Sequence, residues 1–221
     1  MTKKRRYDDG CATAHAMDII GDRWALLIVR ELVFGPKRFT DLQASLPAIA
    51  PNVLTQRLEE LESSQILEKK KLPPPFASTV YELTPWGHDL EPLIKAIGKW
   101  AAQSPNLPKG APMSINSVLL SFSTMFNPGL AKNLTASIQF KFGDQTYYAT
   151  IDREKLTIEA GEVDSPDVTI EGDQNALAAV VYGGESFDSM IRSGAIEMHG
   201  NKRVARRFAS LFPLPSQIPR R

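Results

Sequence analysis

Two periodicities divide the chain. Up to residue 103, apolar residues recur every three or four positions, as on helices packed along one side; beyond residue 112, a helix gives way to runs of alternating apolar and polar residues, as on half-buried strands. In the first half, Ile20, Trp24, Leu27, Ile28 and Leu32 predict one helix, stopped by Gly35 and Pro36. Thr40 with Gln43 three residues on predicts the capping box of a second helix, whose Leu42 and Leu46 face inward and which Pro47 ends. Pro51 suits the first position of a third helix, because its missing N–H is not needed there. Leu54, Leu58 and Leu61 form its buried stripe. Two strands, 66–71 and 79–83, flank a proline-rich tip at 73–75. From residue 84 a last helix sets Leu90, Leu93, Ile94, Ile97 and Trp100 on one side.

Helix, turn, helix and basic hairpin is the element order of a winged helix. The third helix, at 51–64, keeps Asn52, Thr55, Gln56 and Arg57 off its leucine stripe. Those side chains make paired hydrogen bonds to base edges when a helix enters the DNA major groove. Glu59, Glu60 and Glu62 repel phosphate, so the end of this helix is expected to point away from DNA. Lys69, Lys70 and Lys71 are either a solvated charge run or a phosphate grip; only alternate strand residues face one way, which admits two of the three. Arg38 is a further phosphate candidate, followed by Lys37 and the arm of Lys3, Lys4, Arg5 and Arg6. The long apolar side of the last helix exceeds what a small core needs. It predicts a homodimer, suited to a pseudo-palindromic operator in double-stranded DNA.

The first half resembles the HxlR-type regulators, a branch of the MarR-like winged-helix transcription factors. Cys11 carries the likeness together with 17–24 (MDIIGDRW), 28–32 (IVREL), 35–39 (GPKRF), 51–61 and 81–87 (YELTPWG). The resemblance implies a homodimer joined by terminal helices, with the second helix of the motif in the major groove and the wing on the backbone. The chain departs from the family pattern at Ala50, where a serine N-cap is frequent and worth about 1 kcal/mol, and at Ala12, where a proline commonly follows the cysteine. Some relatives sense oxidants or electrophiles through a cysteine in this region. Cys11 is expected here as a small buried residue at the first helix, with no basic cluster nearby to lower its pKa. The competing assignment is a redox or electrophile sensor at Cys11 whose C-terminal domain serves only oligomerisation.

Three prolines and a glycine between residues 103 and 112 cannot continue a helix or sit inside a sheet. They predict a winged-helix domain at 1–104, a linker at 105–112 and a second domain at 113–215. That domain opens with a helix near 114–126. Strands follow around Ile138, Phe140 and Phe142, then Tyr147, Ala149 and Ile151, then Leu156 and Ile158, then Val168 and Ile170, predicted as an antiparallel meander. Asp173 caps a helix carrying Leu177, Val180 and Val181. A second helix covers 186–194, a strand 195–199, and a last helix ends the domain. The expected class is α+β, an antiparallel sheet covered by helices.

The phrases 182–187 (YGGESF) and 193–201 (SGAIEMHGN) resemble the sterol-carrier-protein-like lipid-binding fold over roughly 113–214. The resemblance implies an apolar tunnel for a fatty-acid-like or sterol-like molecule. Its candidate lining is Phe187, Met190, Ile191, Met198, Val204, Phe208, Leu211 and Phe212, each of which taken alone reads first as ordinary core. Arg203, Arg206 and Arg207 are a solvated face or a grip for a carboxylate or phosphate head group.

Composition narrows the remaining classes. The 221 residues are 43% hydrophobic with formal net charge +1, so attraction to phosphate has to come from local clusters. No apolar run approaches the roughly 18 residues of a membrane span. The basic N-terminus lacks the apolar stretch of a signal peptide. One cysteine suits a reducing cytoplasm. His15, His88 and His199 lack metal-ligand spacing, and neither a phosphate loop nor a nucleophile triad is legible, so no enzyme, metal or cofactor is expected. The sequence reading is a cytoplasmic DNA-binding regulator whose second domain senses an apolar small molecule without contacting membranes. The rival is an enzyme or transfer protein that uses the winged helix as a protein-docking platform.

Overall fold

In the computed structural model, which describes residues 7–73, 78–108 and 110–219, the helix expected across 20–32 is two helices. These are α1 (Ala12–Ile20) and α2 (Ala25–Leu32). The chain breaks because Gly21 folds back until a Cβ there would lie 2.4 Å from the Met17 carbonyl, and Trp24 takes a left-handed φ of 83°. The break resets the helical phase. Ala25, Ile28, Val29 and Leu32 are buried, while Leu27, assigned to the inward stripe, is exposed.

Strand β1 (Lys37–Arg38) leads into α3 (Phe39–Ser45) and α4 (Pro51–Ser63). Helix α3 begins before the expected Thr40. Asp41 rather than Gln43 closes its N-terminus, accepting from the Arg38 N–H at 3.0 Å. Gln43 instead donates to the Ile49 carbonyl at 2.8 Å and fixes the turn between the two helices. Pro51 stands at the start of α4, Ala50 gives it no side-chain cap, and Leu54, Leu58 and Leu61 are buried as predicted.

The hairpin β2 (Leu67–Lys71) and β3 (Thr79–Leu83) forms a three-stranded sheet of order β1-β3-β2. Residues 74–77, which take in part of the tip expected at 73–75, and the basic arm at 3–6 lie outside the described residues. The final amphipathic stretch is also two helices, α5 (Pro85–His88), capped by Thr84, and α6 (Glu91–Ala101). Gly87 passes so close to β2 that a Cβ there would lie 1.9 Å from the Ile66 carbonyl. The chain separates into two units, Met1–Ile94 and Lys95–Arg221, divided within α6.

The second unit contains α7 (Ile115–Met125), a 3-10 turn (Pro128–Leu130), β4 (Ala136–Phe142), β5 (Gln145–Asp152), β6 (Lys155–Ala160) and β7 (Val168–Gly172). It continues with α8 (Gln174–Tyr182), α9 (Phe187–Arg192), β8 (Ile196–Gly200) and α10 (Lys202–Ala209). Asp173 and Ser186 cap α8 and α9. The sheet order is β6-β5-β4-β7-β8. The predicted antiparallel sheet is therefore corrected to a mixed one, because β7 lies parallel to β4. The chain leaves β6 at one edge, crosses past β5 and β4, and enters β7 on the far side of β4, so it arrives in the direction of β4. Gln139, buried on β4, holds that crossing. Its amide donates to the Tyr147 and Gly161 carbonyls at 2.6 and 3.1 Å, and its oxygen accepts from the Val163 N–H at 2.9 Å.

Candidate nucleic-acid interface

The leucine stripe fixes α4 on its domain and so determines which side chains point out. Asn52, Thr55 and Gln56 are exposed. The Thr55 hydroxyl donates to the Pro51 carbonyl at 3.0 Å, and the Gln56 amide to Glu60 at 2.9 Å. Arg57 departs from the expected outer face. Its guanidinium bonds Asp22 at 2.5 Å and also Glu60, and its side chain is 16% exposed. Asp22 belongs to the turn between α1 and α2, so Arg57 clamps α4 to that turn instead of reaching outward. The Glu60 pairing has a helical spacing legible in the sequence; the contact with Asp22 is long-range and is not.

Lys37, a secondary phosphate candidate, is corrected outright. It is buried, with its ammonium on Glu31 at 3.3 Å and on the Ser45 hydroxyl at 3.4 Å. Glu31 has no exposed surface. Its other oxygen accepts from Arg30 Nε and Nη2 at 2.9 and 2.7 Å. This triad, missed in the sequence, ties α2 to β1 and α3, and so positions the helix pair against the wing. Arg38 remains exposed.

On the wing, strand alternation separates the three lysines. Lys70 shares its side with Glu68 and Glu82 and bonds them at 2.9 and 3.1 Å. Those two carboxylates, Glu68 foremost, hold its ammonium above the ordinary lysine range. Lys69 and Lys71 share the opposite side, with Lys69 lying 5.8 Å from the centre of the Tyr81 ring.

Cys11 contradicts the expectation of a buried residue. It is exposed at the N-cap of α1. The backbone N–H of Ala14, then that of Thr13 and then the Thr13 side chain, favour the thiolate and hold the pKa below the ordinary thiol value, although none makes a full cap bond. The helix start thus lowers the pKa with no basic cluster among the described residues contributing, which the sequence reading of Cys11 did not anticipate.

In the second unit, the candidate lining residues divide into two sets. Phe187, Phe208, Leu211 and Phe212 are buried. Phe208 and Phe212 stand edge to face at 4.8 Å, and both pack on Phe122 of α7, at 5.5 and 4.9 Å between ring centres. Met190, Ile191, Met198 and Val204 are half-buried. No helix among the described residues is long and apolar enough to cross a membrane.

Residues 19–107 match the HxlR-like helix-turn-helix family. The regulator YvaP of Bacillus subtilis, an uncharacterized HTH-type transcriptional regulator, is 38% identical over 88 residues, 40% of this chain and 82% of YvaP. The chain belongs to the HxlR-like family. The HTH-type transcriptional regulator YodB of the same organism is 36% identical over 40% of this chain and 79% of YodB. Solved structures matching this half include reduced YodB, with 32% identity, TM-score 0.41, and coverage of 46% of this chain and 100% of that one. Another is quinone-bound YodB, with 33% identity, TM-score 0.37, and coverage of 41% and 96%. The second half is similar to a different family, the alkyl sulfatase C-terminal domain, over residues 109–217. The protein is a transcriptional regulator with an HxlR-like helix-turn-helix domain, and the relatives of that domain are regulators rather than enzymes.

Proposed function

We propose that this HxlR-like protein is a homodimeric, sequence-specific regulator that inserts α4 into the major groove of a pseudo-palindromic operator. The observation carrying the reading is the exposed trio Asn52, Thr55 and Gln56 on a leucine-anchored helix. Arg38 adds an exposed cation ahead of α3, and Lys69 and Lys71 add two on one side of the wing. In this scheme Arg57 orients α4 and Lys70 is held by its carboxylates. Leu93, Ile97 and Trp100 recur at i, i+4 and i+7 on α6, all exposed and Trp100 by 71%. They supply the dimer seam. The working division is 1–104 for the winged helix, 105–112 for the linker and 113–215 for the second domain.

Selection of bound duplexes from a random pool tests the reading. The expected result is a two-fold symmetric consensus, with Gln56→Ala relaxing preference at one position per half-site by about 1–3 kcal/mol. Binding that shows no consensus and no response to Gln56→Ala overturns it.

In the second domain, the half-buried set Met190, Ile191, Met198 and Val204 is the candidate contact for an apolar small molecule. A fatty-acid-like ligand there regulates only by binding two dimer states with unequal affinity. Lipid carried by the purified full chain, and operator affinity with and without a fatty acid, decide this point. Bound lipid with unchanged operator affinity removes the coupling. A second reading is favoured by the exposed, activated Cys11, which makes the chain an electrophile sensor. YodB, a relative with a quinone-bound structure, makes a quinone the first probe. Alkylated Cys11 with unaltered operator affinity excludes that reading.

A further inference from the structure

The second unit is electrically divided along its sequence. Residues 144–185 carry ten acidic and two basic residues, whereas residues 186–221 carry seven basic and two acidic ones. The structure gathers much of the basic excess on one surface. Lys202, Arg203, Arg206 and Arg207 fall at i, i+1, i+4 and i+5 on α10 and are all exposed, while Ala205 and Phe208 bury the opposite side. Arg207 donates to the Leu130 carbonyl at 2.5 Å, which brings the loop bearing exposed Lys132 beside the helix. Arg206 bonds Asp188 on α9 at 3.1 Å. Arg192, four residues beyond Asp188, stands on the same side of α9.

We infer that the outer face of α10, with Lys132 and Arg192 at its margins, is a second contact surface for the phosphate backbone of duplex DNA. Lys202 and Arg203 occupy the first turn of their helix, where the backbone dipole disfavours cations. Local helix stability therefore does not explain them, whereas an external polyanion does. The apolar side of α10 lies inside the domain, so the helix cannot insert into a bilayer as a basic amphipathic helix would. Duplex DNA is also the polyanion within reach. On the functional reading above, on which this inference rests, the winged helix holds the same chain on DNA, and tethering raises the local concentration of the second contact to about the millimolar range.

The test uses the full chain and a mixed-sequence 40-base-pair duplex, with affinity measured across a salt series for four proteins. These are the natural chain, Lys202→Gln/Arg203→Gln, Lys202→Glu/Arg203→Glu and the wing variant Lys69→Gln/Lys71→Gln. Loss of two phosphate contacts is expected to flatten the plot of log affinity against log salt by roughly 1–2 units. It should weaken binding at 0.1 M salt about tenfold or more. Removing cations from a first turn does not threaten the fold, and the charge reversal Lys202→Glu/Arg203→Glu is expected to weaken binding further. An unchanged slope for both α10 variants, with a flatter one for the wing variant, overturns this inference and leaves the winged-helix reading intact. The converse pattern supports the α10 surface and removes the wing. An α10 variant that loses binding to vesicles containing phosphatidylserine while keeping its DNA slope also overturns it, assigning the surface to anionic lipid.

Discussion

The Glu31 triad makes a quantitative prediction about how the helix pair is held to the wing. Glu31→Gln keeps the shape of the side chain and removes its charge, leaving Lys37 beside Arg30 without a carboxylate between them. Removing one member of a buried pair costs about 3–5 kcal/mol, because the remaining charge stays desolvated. Two features reduce that figure. Lys37 keeps its contact with the Ser45 hydroxyl at 3.4 Å, and the Arg30 side chain is 19% exposed and so reaches water. The expected loss is about 2–3 kcal/mol. The double variant Glu31→Gln/Lys37→Met replaces the stranded ammonium by an apolar side chain. It is expected to recover more than half of the loss, about 1–2 kcal/mol. Urea unfolding followed by tryptophan fluorescence reports chiefly on this region, since Trp24 and Trp86 lie in the first unit while Trp100, beyond its boundary, is largely exposed. With a slope of about 1–3 kcal/mol per molar urea, the single variant moves the midpoint down by roughly 0.7–3 M. A midpoint unmoved by Glu31→Gln, or a double variant less stable than the single, refutes the reasoning.

Three further outcomes follow from the same structure. Phe122→Ala removes a ring with no exposed surface that contacts Phe140, Tyr182, Phe208 and Phe212. It should cost about 3–5 kcal/mol in denaturant unfolding of the second unit, and a cost below about 1 kcal/mol would show that the cluster is loosely filled. Gly87→Ala forces α5 away from the Ile66 carbonyl and is expected to destabilise the first unit in thermal melts, whereas Gly10→Ala, which meets nothing within 4 Å, is neutral. Because the helix start favours its thiolate, Cys11 should react with iodoacetamide with a pH midpoint below that of a small free thiol, retaining reactivity as pH falls where the small thiol has lost it. Thr13→Val should move the midpoint upward, and one at or above the free-thiol value contradicts the assignment.

Where physical pattern is local, the sequence was sufficient. The stripe of Leu54, Leu58 and Leu61, Pro51 at a helix start, the basic hairpin, and Asp173 as a cap all depend on neighbours within about one helical turn. The misread features depend on residues far apart in the chain. Arg57 looked like part of an outward polar face because its partner Asp22 lies 35 positions away. Lys37 looked like a surface cation because nothing in a charge pattern shows that Glu31 is buried. The helical break at Gly21 is hidden because the sequence spacing of Ile20, Trp24, Ile28 and Leu32 runs on unbroken across it, although the structure resets the phase there. The parallel pairing of β4 with β7 escaped notice because alternation within a strand records which side is buried and carries no information about its neighbour. Residue type alone places Cys11 in a core, whereas its exposure and lowered pKa come from its position where α1 begins.

The crossing held by Gln139 also sets an order of events during synthesis. The strands β4, β5 and β6 are joined by two tight hairpins and can pair as soon as they emerge. One long side of β4 then stays open until Val168–Gly172 has been made. A nascent chain halted after Ala160 presents a row of unpaired N–H and C=O groups flanked by Ile138, Phe140 and Phe142, a template for another chain's strand. Ribosomal pausing in that interval should therefore send this protein into aggregates, and a truncation there should be found in the insoluble fraction.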